Sequence, residues 1–208
     1  NMDVPGVYLD ENILRMTMNL RGNYVRLAEA LIAEGETQKA KEVLDRAMEK
    51  MPPEQVPYNI FARGIPDLYY QLGENDRARE ILIGMADMYH QEFEYWSSLA
   101  GTKWGLGSGR ERNQAAAILQ ELFITAGNNG DEVALATIAT EMTSDAALLE
   151  LGYAFSQVAK GLYNVGDRDA ADALARKFMG VHGPIVSAIT SQSAPQADVQ
   201  QAQQSFQL

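Results

Sequence analysis

Cysteine is absent from the 208 residues. That excludes disulfide staples, thiolate metal sites and cysteine nucleophiles, while leaving the compartment open, since a helical protein can do without disulfides anywhere. Histidine is almost as scarce: His90 and His182 are the two in the chain, and neither has a second histidine at metal-ligand spacing. Basic residues are in the minority, 17 against 28 acids, for a formal net charge of −11. Such a surface repels phosphate backbones and anionic lipid, so nucleic acid is not an expected partner. Neither a run of eighteen apolar residues nor a signal-peptide pattern occurs, so direct membrane insertion by this stretch is not expected either. Sustained apolar–polar alternation with β-branched enrichment is missing too, which argues against a sheet. What is present is 46% apolar residues, enough for a buried core and too many for global disorder.

Those apolar residues recur at intervals of three and four, the spacing of amphipathic helices. A first stripe runs Ile13, Met16, Leu20, Tyr24, Leu27 and Leu31, and a second Ala40, Val43/Leu44, Ala47 and Met51. A third takes in Phe61, Ile65, Leu68/Tyr69 and Leu72, and a fourth Ala78, Ile81/Leu82, Met85, Tyr89, Phe93 and Trp96. Gly35, Gly73 and Gly166 each follow such a run, where a left-handed residue ends a helix, and Thr37, Asn75 and Asp167 stand ready to cap the next one. Two amphipathic helices joined by so short a turn form an antiparallel hairpin.

The hairpins repeat. Ala28–Gly35, Pro66–Gly73 and Ala159–Gly166 align, and each glycine is followed five residues later by an alanine, Ala40, Ala78 and Ala171. A large apolar residue comes next, Leu44, Leu82 and, one place early, Leu174. This resembles the tetratricopeptide repeat, whose second half runs glycine, alanine, large apolar, alanine, proline. Gly35, Ala40, Leu44, Ala47 and Pro52 match it throughout. The second copy has Met85 and His90 at the last two places, which predicts a second helix lengthened to about Trp96. The third is more degenerate and ends at Gly183-Pro184. The expected fold is therefore all-α, a tetratricopeptide-like stack of antiparallel helical hairpins. Residues 1–104 hold two hairpins. Residues 105–186 hold a degenerate hairpin over 110–142, after the flexible Gly105–Gly109 connector, and then the third copy. Residues 187–208 form a tail with seven glutamines.

No catalytic constellation emerges, and no cofactor is expected. Gly105, Gly107 and Gly109 fit neither GxGxxG nor GxxxxGK[ST], and no serine sits in GxSxG. Glu92 and Glu94, two apart, fall on different helix faces. Tetratricopeptide domains bind ligands in the concave groove lined by the first helix of each pair. That family pattern nominates Glu29 from the first copy, Arg63, Asp67, Tyr70 and Gln71 from the second, and Ser156, Lys160, Tyr163 and Asn164 from the third. The set lacks the basic cluster that grips C-terminal carboxylates in some relatives. A second candidate is aromatic. Tyr89, Phe93 and Trp96 share a helical stripe, and with Tyr95 and Trp104 they form either core packing or a platform for a glycan or peptide.

The first hundred residues carry a further likeness. Val7–Asn12, Arg15-Met16, Met18–Arg21, Arg26–Gly35 and Met51–Asn59, the last reading Met-Pro-Pro-Glu-Gln-Val-Pro-Tyr-Asn, resemble the C-terminal soluble region of the domain of unknown function 2723 family. Its members are bacterial multi-pass membrane proteins with a glycosyltransferase-like membrane domain. The resemblance implies that Asn1 marks a cut just beyond such a domain. It further implies that transferase residues belong to that other part, and that the chain is held at a membrane, with the extracytoplasmic side favoured. The expected role is then a non-catalytic helical-repeat interaction domain, with a protein or peptide partner that includes the parent's own membrane domain as a candidate. The alternative is a carbohydrate-binding accessory domain that uses exposed aromatics.

Overall fold

The structure is a computed structural model, described here for residue 4, residues 6–99, residue 102, residues 109–141 and nine single positions between 163 and 180. Its described residues are all-α: α1 (Glu11–Ala33), α2 (Thr37–Lys50), a single 3₁₀ turn (Ile60–Ala62), α3 (Ile65–Gln71), α4 (Asn75–Ser98), α5 (Gly109–Asn128) and α6 (Glu132–Glu141). By its internal contacts the chain divides into Asn1–Met85 and Ala86–Leu208, a division inside α4. The division expected at residue 105, the third repeat copy and the glutamine-rich tail fall outside the continuously described residues. No described helix is long and apolar enough to cross a membrane.

In the first unit α1 and α2 form a hairpin. Gly35, at φ +80°, turns the chain between them. Its N–H donates to Ile32 O at 3.0 Å, and the Glu36 N–H reaches back to Leu31 O at 2.8 Å. These are the two bonds that satisfy the last carbonyls of a helix ending in a left-handed residue. The α3–α4 turn repeats them, with Gly73 (φ +77°) donating to Tyr70 O at 2.9 Å and Glu74 to Tyr69 O at 2.9 Å. So does the α5–α6 turn in the second unit, where Gly130 (φ +64°) donates to Gly127 O and Asp131 to Ala126 O. Capping departs from expectation. Thr37 is the first residue of α2 rather than its cap, and no side chain caps that helix. Side-chain capping falls instead to Asp10, which accepts from Ile13 N–H at 2.9 Å, and to Asp131, which accepts from Ala134 N–H at 2.9 Å.

Small residues bring the first unit's helices together. Ala28, Ala40, Leu44, Ala47, Met51, Ala62, Ile65, Tyr69, Ala78 and Leu82 are all buried. The third apolar run is shorter as a helix than its periodicity suggests: Phe61 is half-exposed in the 3₁₀ turn, and α3 begins only at Ile65. Pro66 is the cause, because it has no N–H to bond back to Ala62 and so sits where such a bond is not needed, in the first turn of α3. In the second unit α5 packs on α6. Ala115, Ile118, Leu119, Leu122 and Ala126 of α5 are buried, as are Ala134, Leu135 and Ile138 of α6.

The largest departure concerns α1. Of its apolar stripe, Ile13, Met16, Leu20 and Leu27 are exposed, Met16 at 72% and Leu20 at 40%, while Tyr24 and Leu31 are half-buried. The buried side of α1 is Thr17, Arg21, Gly22, Val25 and Ala28. Gly22 lets the 3₁₀ turn sit against the helix: a Cβ there would stand 3.2 Å from Phe61 Cβ.

Candidate functional site

Arg21 organises the loop between the two hairpins of the first unit. Its side chain is fully buried. Nη2 donates to Met51 O at 2.7 Å and to Val56 O at 2.6 Å, and Nη1 donates to Pro57 O at 2.9 Å. The guanidinium also lies 5.6 Å from the centroid of the Tyr58 ring. A planar fork with several donors suits this task better than an ammonium would, since it can reach carbonyls in different directions at once. Pro52, Pro53 and Pro57 keep the loop out of helix and leave its carbonyls pointing at the arginine. The Tyr58 hydroxyl is pushed up to about 12 by burial, a rise that the charge of Arg21 partly offsets. Met51 and Val56 pack with Ala47, and Leu9, Met18 and Tyr24 close over them. The stretches Met18–Arg21 and Met51–Asn59 are thus joined by one side chain. Arg21 escaped notice in the sequence because a lone arginine in an amphipathic helix reads as solvated. The available signal was its company: Thr17, Gly22, Val25 and Ala28 make a small-residue face with the arginine at its centre.

A polar chain crosses α2, α3 and the turn before α4. Lys41 Nζ lies 2.9 Å from Asp45 Oδ2 and 3.6 Å from Glu74 Oε1. The buried Tyr69 donates its O–H to Asp45 Oδ1 at 2.9 Å. Burial first, and then this bond to a carboxylate, hold the Tyr69 phenol above its ordinary range.

The nominated groove residues are only partly available as a surface. Glu29, Arg63 and Gln71 are exposed, and Asp67 is half-buried, accepting from Gln71 Nε2 at 2.7 Å. Tyr70 is buried at 8% exposure, so its ring belongs to packing, and it drops from the candidate surface. Tyr163, in the second unit, is exposed beneath Arg168, whose guanidinium carbon is 5.3 Å from the ring centroid. Ser156, Lys160 and Asn164 lie outside the described residues.

The aromatic platform narrows in the same way. Tyr89 and Phe93 are buried, at 3% and 0% exposure, because the face of α4 that bears them also bears Ile81, Leu82 and Met85. Tyr95 is 58% exposed and meets the half-buried Trp96 edge to face, ring centroids 5.0 Å apart at 70°. Trp104 lies outside the described residues. His90 Nε2 is 3.5 Å from Glu94 Oε1, an ordinary i,i+4 contact.

Comparisons with protein-family models, with curated proteins and with solved structures find no match to this chain. The likeness of the first hundred residues therefore rests on the residue strings themselves.

Proposed function

We propose that the chain is a non-catalytic, tetratricopeptide-like interaction domain, the soluble part of a membrane glycosyltransferase-like protein, which holds a protein partner or acceptor polypeptide near that enzyme. The observation that carries the repeat reading is the recurrence of one junction. Gly35 and Gly73, 38 residues apart, are both left-handed and followed by the same pair of backbone bonds. Each is then followed by a fully buried alanine and leucine, Ala40/Leu44 and Ala78/Leu82. One junction is a common helix ending; the same junction with the same small-then-large burial behind it is what a repeat requires. The membrane parent and the extracytoplasmic side rest on the family strings alone. Deleting this region from the full-length gene tests the role: glycosylation of acceptor proteins should fall while the membrane part is still made. Unchanged transferase activity, together with no partner recovered by the purified region, overturns it.

A second reading is a glycan-binding accessory domain, favoured by the exposed Tyr95 ring braced edge to face by Trp96. Flat exposed rings stack on sugars. Glycan-array binding that Tyr95→Ala and Trp96→Ala abolish would select this reading over the first.

A further inference from the structure

The exposed stripe of α1 is a surface in its own right. Ile13, Met16, Leu20 and Leu27 span about four turns, ~21 Å at 1.5 Å per residue. A hollow of about 540 Å³ opens beside them, lined among the described residues by Ile13, Met16, Thr17, Asn19, Leu20 and Asn23. This is not the groove nominated above. Leu20 and Glu29 are nine residues apart, which at 100° per residue places them on opposite sides of the helix.

One flank of the stripe carries a second pattern. Asn12, Asn19 and Asn23 lie beside it, and Arg15 and Arg26 lie just beyond; all five are exposed. Arg15 Nη2 donates to Asn12 Oδ1 at 2.8 Å, and Arg26 Nη2 donates to Asn23 Oδ1. The two Asn–Arg pairs stand eleven residues apart, three turns, and so form a ladder along one edge. An amide orients a guanidinium but leaves its charge uncompensated. Other bases of this unit, Lys39, Lys41, Arg77 and Arg79, are instead within salt-bridge distance of carboxylates. Arg21 is buried in the loop, so the exposed charges of α1 are Arg15 and Arg26 against Glu11 and Glu29, which leaves this helix neutral at its surface in a chain of −11.

We propose that this face docks an amphipathic helix of a partner protein whose apolar stripe is flanked on one side by carboxylates. An apolar row at i, i+3, i+4 spacing is the complement of another such row, and preorientated arginines meet carboxylates in two-pronged geometry. A second copy of the chain fits poorly. An antiparallel pair of identical helices sets like flank against like flank, which brings the Arg15/Arg26 edge onto its own copy. An anionic bilayer fits poorly as well, since the chain as a whole is strongly acidic.

The test is a displayed library of 18-residue helices with a fixed leucine stripe and one flank randomised among Glu, Gln and Lys, selected on the full chain. The selected helices should converge on Glu at that flank. Selection on Arg15→Glu/Arg26→Glu should shift the convergence to Lys. Leu20→Asp and Met16→Asp should each weaken the selected helix at least tenfold, and Arg46→Glu, an exposed charge reversal on α2, should leave it unchanged. Both aspartate sites are solvent-exposed, and circular dichroism checks that the variants fold. If one does not, the charge-reversal arm still decides. Absence of flank preference, or full affinity in Leu20→Asp, overturns the proposal. So does concentration-dependent dimerisation that Leu20→Asp abolishes, which assigns the face to a second copy. Flotation with phosphatidylglycerol vesicles that the same variant abolishes would overturn it in favour of a membrane surface. Loss of partner binding on Arg63→Ala or Gln71→Ala, by contrast, reads the groove alone.

Discussion

Replacing Arg21 with methionine removes the donor from three main-chain carbonyls at once, those of Met51, Val56 and Pro57. Two effects oppose each other. The side chain is fully buried, so methionine relieves the cost of holding a guanidinium away from water, and buried ion pairs replaced by apolar residues of similar size are often neutral. Here, however, the acceptors are backbone atoms that no substitution can remove. Each stranded carbonyl costs roughly 1–3 kcal/mol. The loop can loosen and let water reach Pro57 O, the partner of the one bond that is only part-buried. Taking the low end for each carbonyl and assuming little net return from desolvation, Arg21→Met should destabilise by about 3 kcal/mol. Lysine can reach fewer of the three directions and should fall between, at about 2 kcal/mol. In a chain of this size about 3 kcal/mol lowers the melting temperature by roughly 6–12 °C. The local readout is amide exchange. The Gln55 and Val56 N–H groups donate to Pro52 O at 3.0 and 2.9 Å inside the clasped loop. Their exchange should accelerate about a hundredfold, following the same free energy. A methionine variant within about 0.5 kcal/mol of the parent by urea denaturation, with unchanged exchange at these two amides, would refute the argument that the arginine holds the loop.

Alkaline stability should fall as pH rises from 10 through 12. The Tyr58 phenol ionises near 10 when unfolded and is pushed up to about 12 in the fold, so its contribution is complete below pH 10 and lost above 12. Tyr69 acts in the same direction, so phenolate absorbance and urea denaturation should show a flatter alkaline profile for Tyr58→Phe and the flattest for the double variant with Tyr69→Phe. Gly35→Ala should cost about 1–2 kcal/mol, because a Cβ at φ +80° is strained even though nothing crowds it. Asp131→Ala, read by thermal melting, should cost about 1–2 kcal/mol through loss of the buried cap on α6, whereas Asp131→Asn should cost less than half of that.

Helix content was legible because 3.6-residue periodicity needs no tertiary information, and the hairpin turns were legible because glycine is the residue that tolerates a left-handed φ. The lengthened α4 was legible from the missing proline at residue 90. The start of α3 was misjudged because Phe61 is in phase with Ile65, and phase alone ignores what Pro66 does to the turn before it. The candidate groove was less legible, for a geometric reason. A family register nominates positions, but whether Tyr70 faces a groove or the core depends on how α3 is rolled against its neighbours, which spacing does not set. The aromatic stripe divided on the same ground: Tyr89 and Phe93 continue the buried row of Ile81, Leu82 and Met85, while Tyr95 lies off that row and stays outside.

The roll of α1 is the instructive case. Periodicity identifies an apolar side, and burial of large apolar side chains, at roughly 1.5–3 kcal/mol each, normally turns that side inward. In α1 the side turned inward is instead Thr17, Arg21, Gly22, Val25 and Ala28. Close approach explains the choice: Gly22 leaves room for Phe61, Ala28 is fully buried, and Arg21 satisfies loop carbonyls that no leucine could. With the inner face occupied, Ile13, Met16 and Leu20 contribute little to folding. The triple change to glutamine should therefore lower the melting temperature by no more than about 3–6 °C, since exposed substitutions cost at most roughly 0.5 kcal/mol each, about 1.5 kcal/mol for the three, and glutamine matches leucine and methionine in helix propensity. If the triple variant instead unfolds the α1–α2 hairpin, seen as lost helicity and rapid exchange at Leu44 and Ala47, the stripe is core. If it melts within that range, three large apolar residues stand on one face with no role in holding the fold, which is the condition a docking surface must meet.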